Sequence, residues 1–222
     1  MKFDDLVDLY EKSKKKYGKD INNYLSQILN NAKKLHKKSF KGKDHEQSWR
    51  AFKGKNFEKL VEYIILNSVH DMGLKIINGN SLEKTLIGNL SDELAKVKRN
   101  LLVDFGEFGA YLPDMDIVIY QPETSKVLAV VSCKVTLRER IAQTAYWKIK
   151  LKSDKTTKHI KAYFITLDED GTLSIKYPMK KGRAIVEEDL DGSYVLTESF
   201  IEKSNKVKNF SEFLNDLKNH CI

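Results

Sequence analysis

The run Lys126-Val127-Leu128-Ala129-Val130-Val131-Ser132-Cys133-Lys134 limits what this chain can fold into more than any other stretch. It is nearly all apolar and too short for a stable helix, which predicts a strand in the middle of a sheet covered on both faces. Upstream, Ile117-Val118-Ile119-Tyr120 is a second β-branched run, and Gln121-Pro122-Glu123-Thr124-Ser125 between them has turn composition. The pair therefore predicts a hairpin. Side chains alternate faces along a strand, so Asp116, Val118 and Tyr120 share one side of the first strand, and Ser132 and Lys134 share one side of the second. Asp116 and Lys134 can then meet at the open end. A carboxylate and an ammonium at the rim of a buried sheet are costly to leave unpaired, so they form either a strand-end salt bridge or a chemical site.

The surrounding sequence supplies the rest of the sheet. Thr136 is suited to cap a helix from Leu137 to about Leu151, with Ile141, Ala145 and Ile149 repeating every four residues towards the core. Ala162 to Leu167 reads as a third buried strand, and strand, helix, strand at this spacing predicts a parallel crossover. Leu173–Ile175, Ala184–Val186 and Tyr194–Leu196 are further short strand candidates, and Phe210, Phe213, Leu214 and Leu217 mark a last helix. Towards the N-terminus, Phe3, Leu6, Val7 and Tyr10 predict a helix ending near Gly18. A second helix is expected from an Asp20 cap through Ile28 and Leu35, which gives a helical hairpin over residues 1–45. Phe57, Leu60, Val61, Ile64, Ile65 and Val69 form the stripe of a core helix stopped by Gly73. Glu58 is expected close to that helix's N-terminus, with Glu62 one turn later on the same side. Leu74–Asn78 reads as a strand, Ser91 as a helix cap, and Gly106–Tyr111 as a loop. The fold class is α/β, a mixed central β-sheet flanked by helices, with residues 46–222 as the main domain.

The charge is unevenly placed. Residues 1–55 hold 15 Lys and Arg against 7 Asp and Glu, so this segment carries the whole net charge of +8. Within the neutral remainder, Lys134 to Lys161 has nine basic residues opposed only by Glu139 and Asp154. Two basic regions, one beside the expected site, point to a polyanion partner. No apolar run approaches the roughly 20 residues of a membrane helix. The N-terminus lacks a secretory signal's apolar segment, and Cys133 and Cys221 have neither metal-ligand spacing nor disulfide arithmetic, so a soluble protein of the reducing cytoplasm is expected.

A helix carboxylate, a strand-end aspartate and a strand-end lysine set among positive charge suit phosphodiester hydrolysis. Carboxylates hold Mg²⁺, which stabilises charge on phosphate oxygens, and a lysine can orient or polarise the attacking water. Pro113-Asp114 followed by Ser132-Cys133-Lys134 resembles the signature of type II restriction endonucleases of the PD-(D/E)xK nuclease superfamily. Glu58 resembles the acidic residue of that family's first core helix, and the run Ser132 to Arg140 resembles a variant in which serine replaces the acid before x-Lys. The similarity spans roughly Trp49 to Leu167. It implies a Mg²⁺-dependent enzyme cutting double-stranded DNA at a short sequence, a homodimer on a palindromic site, and functional pairing with a DNA methyltransferase.

The resemblance also implies a site. Asp116, Lys134, Glu58 and Ser132 are its catalytic set, and Asp116, Glu58 and the main-chain carbonyl of Cys133 are its metal ligands. Asp114 is the alternative aspartate, and Glu62 and Glu139 are alternative sources of the carboxylate that Ser132 lacks. Arg138, Arg140, Gln143 and Lys148, on the polar side of the following helix, are the expected DNA contacts. Gln143 and Tyr146 are similar to a glutamine–tyrosine pair of related nucleases. Two other functions suit these residues: a junction-resolvase-like nuclease, and a non-catalytic DNA-binding protein whose nuclease site has decayed.

Overall fold

The structure is a computed structural model that describes residues 1–137 and 140–221. Helices α1 (Phe3–Tyr17), α2 (Leu25–Ser39) and α3 (His45–Asp71) lead into strand β1 (Lys75–Asn78). There follow α4 (Gly79–Lys84), α5 (Asp92–Leu101) and a small hairpin of β2 (Val103–Asp104) and β3 (Ala110–Tyr111). The central hairpin is β4 (Ile117–Gln121) and β5 (Lys126–Lys134). Then come α6 (Arg140–Ser153), β6 (Lys161–Thr166), α7 (Lys181–Asp189), β7 (Gly192–Val195), β8 (Val207–Asn209) and α8 (Phe213–Cys221).

Among the described residues, six strands make one mixed sheet in the order β1-β4-β5-β6-β7-β8. The β1–β4 and β4–β5 pairs are antiparallel, and β5–β6, β6–β7 and β7–β8 are parallel. The crossover after β5 is thus as its spacing requires. Alternation along the strands divides the core into two layers. Ile117, Ile119, Val131, Cys133, Tyr163 and Ile165 face α3, α8 and the N-terminal helices, so Leu6, Tyr10, Leu25, Ile28 and Leu29 share one apolar cluster with the sheet. Val118, Tyr120, Val130 and Ala162 face the other way, towards Leu82 of α4, Val97 and Leu101 of α5, and Leu151 of α6.

Several local expectations give way. The chain after Gly18 makes a 3-10 turn over Gly18–Tyr24, so α2 starts at Leu25 and Asp20 caps nothing. Helix α3 begins at His45, where the Asp44 carboxylate accepts the amide of Gln47 at 2.9 Å, so Glu58 lies in the middle of a 27-residue helix rather than near its start. Gly106–Tyr111 is part of the β2–β3 hairpin. Leu173–Ile175 is not a strand, because the Asp168 carboxylate takes the amides of Thr172 and Leu173 at 2.8 and 2.9 Å and leaves no ladder to form. Ala184–Val186 belongs to helix α7, whose buried residues, Arg183 and Val186, stand three apart.

Arg183 is the largest fully buried side chain, at 0% exposure. It donates from Nη1 to the Leu173 carbonyl and from Nη2 to the Glu202 carbonyl, and its Nε lies 3.3 Å from the Glu187 carboxylate. The segments after β6 and after β7 are thereby fastened to one guanidinium. Arg183→Met keeps the stem but leaves two carbonyls without this donor and the Glu187 carboxylate with only Ser204. It is expected to lower unfolding free energy by about 3–5 kcal/mol in a denaturant titration.

Candidate active site

The register of the central hairpin pairs Ile117 with Val131, and continuing it by one step sets Asp116 opposite Ser132. Asp116 is 2% exposed. Its backbone is fixed on both sides: its amide donates to the Val131 carbonyl at 3.0 Å, and its carbonyl accepts the Gly79 amide at 2.9 Å. Its Oδ2 accepts the Cys133 amide at 2.6 Å, and Lys134 Nζ donates to Oδ1 at 2.9 Å and to Oδ2 at 2.6 Å. The Lys134 side chain keeps 20% of its surface, so the pair sits at an open rim rather than in a sealed core.

Glu58, half-buried on α3, faces this pair from the neighbouring layer. Burial, and then the Asp116 carboxylate beside it, raise its pKa from 4.5 to about 7, against the opposing pull of Lys134 and Lys59. Glu62 is also raised by burial, but it is hydrogen-bonded to Asn78 and takes no part in the Asp116 pair. Asp114 is exposed and accepts from Gln143 Nε2 at 2.6 Å, so Gln143 holds the segment leading into Asp116. Ser132 is buried beside Asp116 on the strand, and burial pushes the Cys133 thiol far up, so that sulfur is inert in the core.

Of the expected DNA contacts, Arg140 is exposed at the start of α6, whereas Arg138 lies outside the described residues, as does the alternative ligand Glu139. Lys148 does not stand where it was expected. It is 8% exposed, donates to the Ile160 carbonyl at 2.8 Å and pairs with Asp191 at 2.6 Å, so it braces α6 against β6 and cannot reach a phosphate. Its place on the outer surface is taken by Ile149, which is exposed.

Gly79 is the site residue that sequence reasoning passed over. A Cβ there would lie 1.9 Å from the Met115 carbonyl oxygen, so only glycine lets α4 press on the backbone of Asp116. Its one sequence signal was the Asn78-Gly79-Asn80 composition, which reads simply as a turn.

Among the described residues no group of three or more His, Cys, Asp or Glu is arranged to hold a metal. The chemistry of the donors nevertheless fits Mg²⁺, which takes hard oxygen ligands and keeps several of its own waters, so one or two carboxylates suffice. Asp116 and Glu58 supply two, and Glu58, raised first by burial and then by the Asp116 carboxylate beside it, is a site where a divalent cation would favour the ionised form.

A family model, that of the BsaWI restriction endonuclease type 2, matches residues 93–217, a span containing Asp116 and Lys134. The chain belongs to this family. MjaVIP, a protein of Methanocaldococcus jannaschii provisionally named as a type II restriction enzyme, is 34% identical over 98% of this chain and 93% of its own length. HpyAORF263P of Helicobacter pylori, named in the same way, is 38% identical over 55% of this chain and 62% of its own length. The crystal structure of the specific restriction endonuclease AgeI with DNA superposes with a TM-score of 0.57 at 15% identity, covering 91% of this chain and 78% of that one. That likeness establishes the restriction-endonuclease fold.

Two measurements check the geometry of this family member. Gly79→Ala is expected to cost about 1–3 kcal/mol of stability through forced displacement of the Asp116 backbone. Gly54→Ala, in α3 with nothing within 4 Å of the new Cβ, should stabilise by roughly 0.5–1 kcal/mol. In metal-free buffer, stability should fall as pH rises from the ordinary 4.5 of a glutamate to the folded value of about 7, since Glu58 is held above its unfolded value and ionises at a cost. Glu58→Gln should lose that slope. After discounting for its half exposure, the variant should gain about 1–2 kcal/mol over the wild type between denaturation curves at pH 5 and pH 8.

Proposed function

We propose that this chain is a Mg²⁺-dependent endonuclease that hydrolyses phosphodiester bonds of double-stranded DNA at a short specific sequence. The observation that carries the reading is the Asp116–Lys134 pair at 2.6 Å with the Glu58 carboxyl against it, at the open end of a central hairpin. Asp116, Glu58 and the main-chain carbonyl of Cys133 would hold the metal. When bound, Mg²⁺ supplies charge stabilisation at the phosphate oxygens and a lowered pKa for a coordinated water.

The chain's own residues do the rest. Lys134 keeps its ammonium at the rim, where it can orient a water and offset charge on the phosphate. Without metal, burial and the neighbouring Asp116 raise Glu58 to about 7, so it would give up its proton on taking its place as a ligand. Arg140 on α6 and the lysines of residues 1–55 are read as phosphate contacts. Residues 1–45 are read as a helical addition to a nuclease body of residues 46–222. A homodimer would match a palindromic site, and a DNA methyltransferase of the same sequence preference would protect the host. No helix in the described residues is long and apolar enough to cross a membrane, in keeping with a place in the cytoplasm.

Incubation with Mg²⁺ and a plasmid of known sequence should give discrete fragments, and chelation should stop the reaction. Lys134→Ala and Asp116→Ala should each lower cleavage by at least about 10³-fold while binding in Ca²⁺ persists, whereas Asp114→Ala should keep most activity. Near-normal turnover in Asp116→Ala would move the metal to Asp114. Cutting confined to branched DNA would replace this reading with a structure-specific nuclease, and binding without cutting with a DNA-binding protein.

A further inference from the structure

Helix α2 ends and helix α3 begins in a knot of rings. His36 on α2 stands 5.6 Å from Trp49 and 5.4 Å from Phe52, ring centre to ring centre, and 5.2 Å from His45, the first residue of α3. Phe40, in the link between the helices, is 5.9 Å from His36 and 5.5 Å from His45. His36 is 8% exposed and His45 is half-buried. Two imidazoles thus sit in a mostly aromatic shell, where a ring nitrogen without a partner is costly.

One nitrogen of each ring has a polar neighbour. His36 Nε2 lies 3.5 Å from the Ser48 hydroxyl, and His45 Nδ1 lies 3.6 Å from the Glu46 carboxylate. The other two, His36 Nδ1 and His45 Nε2, are shut off from solvent and have no hydrogen-bond partner among the described residues. A metal-binding imidazole shows this same division: its outer N–H turns to a polar group, which leaves the lone pair of the opposite nitrogen for the ion.

The spacing of the rings agrees. With nitrogens about 2.0–2.1 Å from a tetrahedral ion, two imidazole centres stand roughly 5 Å apart, against the 5.2 Å found between His36 and His45. No third His, Cys, Asp or Glu joins them among the described residues, so water would take the remaining positions. Imidazole suits Zn²⁺ and its first-row neighbours such as Ni²⁺, whereas Mg²⁺ takes hard oxygen ligands. His45 and Glu58 are 13 residues apart on α3, or about 20 Å at ~1.5 Å per residue, which keeps such an ion apart from the carboxylate centre.

We propose that His36 and His45 together bind one Zn²⁺-class ion that ties the end of α2 to the start of α3. The inference stands independently of the nuclease reading. It gives the tie a load to carry, because Lys37, Lys38, Lys41 and Lys43 are all exposed on this junction and repel one another.

Zn²⁺ would be titrated calorimetrically into the full-length chain in excess Mg²⁺, which keeps the carboxylate centre occupied. One ion per chain is expected. His36→Phe and His45→Gln should each weaken binding by at least about tenfold, since each removes one of two protein ligands. His45→Gln leaves the buried ring in place, so the test survives if His36→Phe fails to fold. Asp116→Ala should bind Zn²⁺ as the wild type does. In long-range ¹H–¹⁵N spectra, Zn²⁺ should shift Nδ1 of His36 and Nε2 of His45, and trypsin cutting at Lys41 and Lys43 should slow.

Failure to take up Zn²⁺ would overturn the proposal, as would wild-type affinity in both histidine variants. Shifts confined to His70, His159 and His220 would overturn it as well, and so would loss of the ion from Asp116→Ala, which would assign it to the carboxylate centre.

Discussion

The structure depends on one buried carboxylate. Asp116, almost without solvent, is tolerable only because its oxygens are taken by the Cys133 amide and the Lys134 ammonium. Those partners are available only if β4 and β5 pair in the observed register, since a slip of one residue would turn Asp116 and Lys134 to opposite faces. The aspartate's carbonyl in turn needs the Gly79 amide, which fixes how α4 approaches. Glu58, already raised by its burial, is raised further by Asp116, a residue it meets only across the fold.

Much of this is legible in the sequence, for physical reasons that also mark where it stops. The hairpin and the meeting of Asp116 with Lys134 follow from a period of two, which needs few residues to declare itself. The place of Glu58 in its helix did not follow, because the polar run Ser39 to Gln47 reads as a connection and hides the Asp44 cap. On α6, a spacing of four advances about 400° per step and so drifts about 40° from a fixed face each time. Ile141 and Ala145 stay in the core, and Ile149 has rotated out, leaving Lys148 buried in its stead. A lysine with a long apolar stem and a paired head can occupy a core position that composition alone assigns to solvent. Gly79 is invisible for another reason, since its neighbour Met115 is distant in sequence and close only after folding.

The basic N-terminal segment is joined to the site by geometry. Helix α3 hands over to β1, whose last residue, Asn78, pairs with Ile117 beside the site, while its first, Lys75, pairs with Tyr120 at the far end. The part of α3 before Glu58 therefore passes beyond the rim of the sheet by about 20 Å at ~1.5 Å per residue. Lys53, in that overhang, is paired with Glu169 on the segment after β6. The overhang and the end of α2 carry much of the chain's excess positive charge, so it lies alongside the open end where Lys134 stands.

The placement of Glu58 on a helix that docks from the opposite layer has a consequence for a growing polypeptide. The carboxyl is made early, the aspartate later and the lysine later still, and the three meet only when α3 has settled on the completed hairpin. No N-terminal fragment that stops short of Lys134 contains the centre, and no hairpin lacking α3 contains it either. Assembly of the layers acts as a safety catch, and a half-made copy carries the parts of the blade without its edge.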